Sequence, residues 1–136
     1  MEYKLLGRTG IKVSRLCFGT MSFGKEADAG MSEEMFRFCR DKGINFFDCA
    51  DVYSDGKAEK ILGRLIKGCM NEVVLASKVY FPTGKGVNSR GAARYHIMNA
   101  VEASLKRLQT DRIDIYYIHR FDDITPVEET LRVLDD

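Results

Sequence analysis

The sequence predicts an α/β fold, in which four strand–helix units in series follow an N-terminal hairpin. Two observations predict it. Short apolar runs alternate along the chain with amphipathic stretches at helical spacing. The apolar runs are continuous, as expected of parallel strands that are buried on both faces. Two architectures fit this pattern, namely an open doubly wound sheet and a portion of a (β/α)8 barrel.

The hairpin and the first unit occupy the start of the chain. The segment YKLLGRTGIKVSRL has two short extended runs around a glycine-containing turn, which predicts a hairpin over residues 1–14. The four units then fill residues 15–136, beginning with a strand in SRLCFGT and a helix in MSEEMFRFCRDKG. Ser32 is the expected N-cap of this helix, and Gly43 is expected just beyond its C-terminal end.

The other three units follow the same order. INFFD predicts a strand and GKAEKILGRLIKG a helix; NEVVLASK predicts a strand, followed by a long polar loop and the helix RYHIMNAVEASLKRLQT. IDIYYIH predicts the last strand, and TPVEETLRVLDD the last helix. In that helix Thr125 and Glu128 predict a capping box, with Pro126 at the first helical position.

Composition excludes several classes of protein. The 136 residues suffice for one domain with a core, and 45% apolar with 30% charged residues is typical of a globular protein. The 21 basic and 20 acidic residues are mixed and give a net charge of +1, so we expect no nucleic-acid partner. No apolar run approaches the roughly 18 residues of a membrane span. The N-terminus lacks the apolar segment of a signal peptide, so we expect a cytoplasmic protein without a membrane partner.

The cysteines give no sign of a metal site. Cys17, Cys39, Cys49 and Cys69 form no C-x-x-C pair, and neither histidine lies near one in sequence. All four stand in apolar contexts, which is typical of small core residues. Cys49, beside Asp48, is the candidate for a reactive thiol.

Polar residues end three successive predicted strands or lie in the loop that follows. Asp48 ends INFFD with Tyr53 in the next loop, Lys78 ends NEVVLASK, and His119 ends IDIYYIH. Each also has an ordinary structural interpretation: Asp48 as a turn cap, Tyr53 as a loop aromatic, Lys78 as a solvated strand end and His119 as a semi-buried imidazole. Because the carboxyl ends of parallel strands meet on one face, we expect the four side chains in one cleft.

The chemistry of this set is coherent. A free phenol has a pKa of about 10, and a neighbouring ammonium lowers it toward a useful proton donor. A carboxylate would hold the ammonium, and an imidazole would orient a carbonyl oxygen. No side chain supplies hydride, so a nicotinamide cofactor is implied for a carbonyl substrate. No G-x-G-x-x-G follows the first strand, which argues against a Rossmann dinucleotide site.

The sequence resembles the aldo-keto reductase family over nearly its whole length. The matching segments are LGRTGIKVSRLCFGTMSFG, GINFFDCADVYSDGKAEKILG, ASKV, SLKRLQTDRIDIYYIHRFD and TPVEETL. The resemblance implies a (β/α)8 barrel closed at its bottom by the hairpin, and NAD(P)H-dependent reduction of aldehydes and ketones or its reverse. The GKAE segment and the long loop before the third helix are similar to the branch of aryl-alcohol dehydrogenases and potassium-channel β subunits.

The resemblance also implies a role for each site residue. Tyr53 is the expected proton donor, Lys78 and Asp48 tune it, and His119 orients the carbonyl. The expected cofactor is NADPH, with NADH as the alternative, and its expected contacts are Gly19, Thr20, Met21 and Asp48. The alternative function is that of a non-catalytic, cofactor-binding subunit. His119 favours the enzyme, because the channel β subunits tend to carry Asn at that position.

Length is the main departure from the family. An eight-unit barrel needs about 250 residues, and this chain of 136 supplies four units. We therefore expect a truncated N-terminal half that is inactive alone and self-associates through exposed strand edges. Locally, Ala93 stands where the family often has Ser at the start of the long helix.

Overall fold

The computed structural model describes residues 1–136, and it contains a two-stranded antiparallel hairpin, a four-stranded parallel sheet and four α-helices. The hairpin strands are β1 (Tyr3–Leu5) and β2 (Lys12–Ser14). The sheet strands are β3 (Cys17–Gly19), β4 (Phe46–Asp48), β5 (Val74–Val79) and β6 (Ile115–Ile118). The helices are α1 (Ala29–Asp41), α2 (Lys57–Ile66), α3 (Arg94–Leu108) and α4 (Val127–Asp135). The predicted strand–helix order is therefore confirmed.

The sheet has its strands in sequence order, β3-β4-β5-β6, and every neighbouring pair is parallel. Gly19 pairs with Asp48, and Asp48 pairs with Ala76. Lys78, two residues farther along β5, pairs with Tyr117 of β6. The carboxyl ends of the strands therefore line one edge of the sheet.

The core lies between the sheet and the helices. Phe47 and Leu75 point from β4 and β5 onto the helices and are fully buried, with Leu62 of α2 packed in the same cluster. A second cluster joins Val79 of β5 to the apolar faces of α3 and α4. The helices thus cover one face of the sheet and hold the strand ends in register.

Gly63 allows α2 to approach the end of α3 closely. A Cβ at this position would overlap the backbone of Leu108, whose carbonyl oxygen is its nearest neighbour. Any larger side chain would force the two helices apart.

Two helix starts differ from the prediction. Asp28, and not Ser32, caps α1: its carboxylate accepts a hydrogen bond from the Met31 amide. Ser32 lies inside the first turn, where its hydroxyl donates to the Asp28 carbonyl at 2.6 Å. Because Asp28 caps the helix, Ala29, Gly30 and Met31 join its first turn despite the low helix propensity of Gly30.

The capping box predicted for α4 is absent. The Pro126 carbonyl accepts the first helical hydrogen bonds, so Pro126 itself is the N-cap residue. The Thr125 hydroxyl donates instead to the Asp122 carboxylate at 2.8 Å. Because the Thr125 hydroxyl bonds the Asp122 carboxylate, it does not cap α4. None of the helices is both long and apolar enough to cross a membrane.

Candidate active site

The four predicted site residues come from three neighbouring strands and one loop. Asp48 is the last residue of β4, and Tyr53 begins a single 3-10 turn, Tyr53–Gly56, in the loop after it. Lys78 lies near the end of β5, and His119 directly follows β6. The structure brings all four together at the carboxyl edge of the sheet, through contacts that join each of them to another.

Lys78 is the centre of the site. Its ammonium donates to Asp48 Oδ2 at 2.5 Å, to the Cys49 carbonyl oxygen at 2.9 Å and to the Tyr53 hydroxyl at 3.2 Å. Three donors on one nitrogen thereby meet three acceptors. The side chain is largely buried, which holds it in this one arrangement.

Two opposing effects act on the Lys78 charge. Burial favours the neutral amine, but hydrogen bonds to Asp48 and Tyr53 and the Asp48 charge outweigh it, so the pKa of Lys78 lies above its usual value. Lys78 is therefore a permanent cation beside the Tyr53 hydroxyl at neutral pH.

His119 lies on the other side of Tyr53. The two rings meet edge to face, with their centroids 5.8 Å apart. Burial and then the Lys78 charge lower the pKa of His119, with Asp48 opposing them, so the imidazole is neutral at pH 7. A neutral imidazole carries one N–H donor, which suits a hydrogen bond to an uncharged carbonyl oxygen.

The loop that carries Tyr53 turns sharply. Ser54 and Asp55 have left-handed φ values of 51° and 54°, followed by Gly56 at 80°. The Ser54 hydroxyl donates to the Phe23 carbonyl oxygen at 2.7 Å, which fixes the turn against the loop after β3. This anchor sets where the Tyr53 ring points.

The predicted cofactor contacts lie beside this site. Gly19 is exposed and has open space on its side-chain face. Met21 is 67% exposed, whereas Thr20 is fully buried, and its hydroxyl donates to the Asp48 carbonyl oxygen. Thr20 therefore ties the β3 end to the β4 end, which leaves Gly19 and Met21 as the accessible members.

Sequence reasoning missed two groups at the site and misjudged a third. Phe81 meets the edge of His119 with ring centroids 5.0 Å apart, and the Cys49 carbonyl accepts from Lys78. Phe81 could have been identified from the sequence, because it is an aromatic residue three positions after Lys78, which ends a predicted strand. Cys49, the candidate for a reactive thiol, is instead a core residue: it is fully buried, and burial raises its pKa to about 12.

Comparison with known proteins decides the family. A sequence model of the Aldo/keto reductase family matches residues 15–136. The chain belongs to this family. Among curated relatives, it is 42% identical over 139 residues to a protein of Arabidopsis thaliana described as a probable voltage-gated potassium channel subunit beta, covering 99% of this chain and 42% of that protein. It is 46% identical over 140 residues to the uncharacterized oxidoreductase YrpG of Bacillus subtilis, covering 95% of this chain and 43% of that protein.

A solved structure extends the likeness to three dimensions. The holo form of an aldo-keto reductase from Bacillus halodurans superposes with a TM-score of 0.88 at 34% identity, over 99% of this chain and 45% of that one. The four strand–helix units thus form the N-terminal half of a (β/α)8 barrel, and the open doubly wound sheet is excluded. The aldo/keto reductase chain spans less than half the length of the relatives it matches.

Proposed function

We propose that the protein serves the NAD(P)H-dependent, reversible reduction of aldehydes or ketones to alcohols. The observation that best supports this proposal is that the Lys78 ammonium donates hydrogen bonds to both the Asp48 carboxylate and the Tyr53 hydroxyl. Membership of the aldo/keto reductase family and similarity to an oxidoreductase of Bacillus subtilis support the same reaction class.

Each side chain has one task in this proposal. Tyr53 gives its hydroxyl proton to the substrate oxygen as that oxygen gains negative charge. Lys78 stabilises the phenolate left behind, and Asp48 keeps the ammonium in place. His119, as a neutral donor, orients the carbonyl oxygen. Phe81 packs against the His119 ring, with centroids 5.0 Å apart, and so helps to hold the imidazole in place.

The residues present fit a nicotinamide cofactor. A reduced nicotinamide supplies the hydride that no side chain can supply. Gly19 and Met21 offer accessible surface at the β3 end, and Gly19 pairs in register with Asp48. We propose NADPH as the cofactor, with NADH as the alternative.

The 136-residue chain itself is proposed to be inactive. It spans 42% of the Arabidopsis relative and 45% of the solved aldo-keto reductase. In the family, the remaining part holds the adenosine and the 2′-phosphate, so we expect weak NADPH binding by this half. We further propose a cytosolic location, which suits four unpaired thiols, and no nucleic-acid partner.

A second candidate is a cofactor-binding subunit without catalysis. The 42% identity to probable potassium channel β subunits of Arabidopsis thaliana and Oryza sativa favours it. Against it stands His119, whose ring meets the Tyr53 ring edge to face and which we propose to orient the substrate oxygen.

One experiment separates the two candidates. The chain is fused after Asp136 to the C-terminal part of the Bacillus halodurans enzyme, and NADPH consumption is followed with a panel of aldehydes and ketones. Turnover that disappears in the Tyr53→Phe fusion supports the reductase. Cofactor binding without turnover supports the subunit, and a folded fusion with neither contradicts both.

A further inference from the structure

A cluster of buried polar side chains lies between the sheet and the helices, directly behind the candidate active site. It is distinct from the four residues at the strand ends. Asp51 is 2% exposed and Glu59 is fully buried. Its members come from five elements: Asp51 in the β4–α2 loop, Glu59 in α2, Ser77 in β5, Ser104 and Arg107 in α3, and Tyr116 in β6.

Glu59 and Arg107 form a hydrogen-bonded ion pair. Arg107 Nε donates to Glu59 Oε2 at 2.6 Å, and Ser77 donates to Glu59 Oε1 at 2.6 Å. Arg107 also donates to the Ser104 hydroxyl at 3.1 Å. One half-buried cation therefore balances one buried carboxylate, and no positive charge is left over for Asp51.

Asp51 has no such partner. Both of its carboxyl oxygens are buried without a hydrogen bond, and so is the hydroxyl of Tyr116. An ionised carboxylate without donors is costly in such a place, whereas the neutral acid is far less so. Burial and the Glu59 charge raise the pKa of Asp51 to about 7, and the Arg107 charge and the neighbouring Val52 amide oppose them only in part.

The backbone of Asp51 is tied to the active site. Its amide donates to the Lys78 carbonyl oxygen at 3.2 Å, while the Lys78 ammonium donates to the Cys49 carbonyl oxygen at 2.9 Å. The Tyr53 amide donates to the Ala50 carbonyl oxygen at 3.2 Å. The short segment 49–53, which carries both Asp51 and Tyr53, is therefore bonded to the backbone as well as to the side chain of Lys78.

A cleft offers the ionised side chain a way out. A cavity of about 280 Å³ lies between the Tyr53 turn and the β5–α3 loop, and its lining includes Asp51, Asp55, Thr83, Gly84 and Arg107. The carboxyl group can reach water by turning into this space. The titratable groups that face Asp51 are Glu59 from α2, Arg107 from α3 and Tyr116 from β6.

We propose that Asp51 is a positioning residue, which holds the Tyr53 loop in its catalytic place only as the neutral acid, and that ionisation turns it into the cleft and displaces Tyr53. The importance of Tyr53 rests on the proposed reductase function. The titration of Asp51 and the movement of the loop do not.

The sign of the pH effect follows from linkage. In the unfolded chain Asp51 titrates near its ordinary value of 3.8, and in the folded chain near 7. The folded state therefore binds more protons between these values, and stability falls as pH rises through this window. Above about pH 7 Asp51 is ionised in both states, and its contribution to stability falls no further.

The test uses the 136-residue chain without cofactor or substrate. Carboxyl-carbon NMR is expected to show Asp51 titrating near pH 7, and the amides of residues 50–55 shifting with the same midpoint. Asp51→Asn, which mimics the neutral acid, should abolish both the amide shifts and the fall of the denaturation midpoint with pH. Asp55→Asn, on the same turn and cleft, should leave both as in the wild type.

Two results would overturn the proposal. One is an Asp51 carboxyl that titrates in the ordinary aspartate range. The NMR titration of the wild-type chain gives this result even where Asp51→Asn does not fold. The other is a pH midpoint that disappears in Glu59→Gln, which would place the proton on Glu59. The proposal expects Glu59→Gln to move the Asp51 midpoint to lower pH. Absence of reductase turnover would count against the proposed function alone.

Discussion

Lys78 Nζ lies 3.2 Å from the Tyr53 hydroxyl oxygen and 4.9 Å from the centre of its ring. The ammonium is therefore placed to stabilise negative charge on the phenol oxygen. A proton donor needs this support at the moment its proton leaves. The contact joins the end of β5 to the loop after β4, so the chemistry depends on the register of two adjacent strands.

Tyr53→Phe is expected to remove the proton donor while the ring stays packed. In the fusion with the C-terminal part of the Bacillus halodurans enzyme, turnover should fall by at least about 10²- to 10⁴-fold, the usual contribution of general acid catalysis. Cofactor affinity, measured by fluorescence titration, should change little. Tyr95→Phe is the matched control, because Tyr95 is 67% exposed on α3. Near-normal turnover in Tyr53→Phe would exclude Tyr53 as the acid.

Asp48→Asn is expected to lower the pKa of Lys78. In the wild type, burial lowers this pKa, and hydrogen bonds and the Asp48 charge raise it above its usual value. Removing the Asp48 charge takes away one of the causes that raise this pKa, so burial, the largest single cause, is less opposed. The raised pKa stabilises the fold below the usual lysine pKa, and that stability is lost as pH rises through the folded-state value. The measurement is an NMR titration of the Lys78 side chain, with the exposed Asp123→Asn as control. An unchanged midpoint in Asp48→Asn would contradict the assignment.

Much of the site could be predicted from sequence because of one rule of parallel sheets. Asp48, Lys78 and His119 each follow an apolar run, and strand ends converge whatever the details of the loops. Asp51 could not be predicted, because a polar residue in ADVYSDGK is typical of an exposed loop. Its amide bonds the Lys78 carbonyl oxygen, and its buried side chain lies near Glu59 of α2 and Arg107 of α3, contacts that are distant in sequence.

The helix starts show the limit of local rules. Asp28 and Ser32 are both good N-caps, and the choice depends on whether Ala29 and Gly30 join the helix. At α4, the Asp122 carboxylate accepts from the Ala92 amide and from the Thr125 hydroxyl. The Thr125 hydroxyl that a local pattern assigned to the cap thus bonds a carboxylate that is itself held by the Ala92 amide, a residue distant in sequence.

Gly63→Ala is expected to destabilise the fold, although Ala favours helices by about 1 kcal/mol over Gly. The added Cβ would overlap the Leu108 backbone, which cannot move as a side chain can. Overpacking of this kind costs about 1–3 kcal/mol. Chemical denaturation should therefore show a lower free energy of unfolding. Gly68→Ala is the control, since nothing lies within 4 Å of a Cβ there; equal effects of the two changes would contradict the close approach.

Ala93→Ser is expected to stabilise the fold. Ala93 is the exposed N-cap of α3, with an extended backbone (φ −73°, ψ 149°) and no side-chain hydrogen bond. A serine hydroxyl there can accept from a free amide of the first turn, which is typically worth about 1 kcal/mol. Denaturation midpoints measure the gain. Ala103→Ser, in the interior of the same helix, should give no gain, and a gain there as well would point to a cause other than capping.

The 136-residue chain is predicted to self-associate. Its parallel sheet ends at β3 on one side and β6 on the other, and each edge has unpaired backbone groups. Apolar side chains beside these edges are exposed: Leu16 by 60% and Tyr117 by 42%. Surface of this kind favours association or poor solubility. We propose a second copy as the partner, with two four-stranded sheets paired edge to edge into an eight-stranded assembly.

Size-exclusion chromatography with light scattering tests this association over a range of concentrations. Leu16→Lys puts a charge beside the β3 edge and should shift the chain toward monomer, because edge lysines oppose strand pairing. Val87→Lys adds the same charge in the β5–α3 loop, where Val87 is 93% exposed, and should leave the association as it is. A soluble monomer of the unaltered chain at every concentration would contradict the prediction. Equal effects of both lysines would point to net charge, rather than to the β3 edge, as the cause.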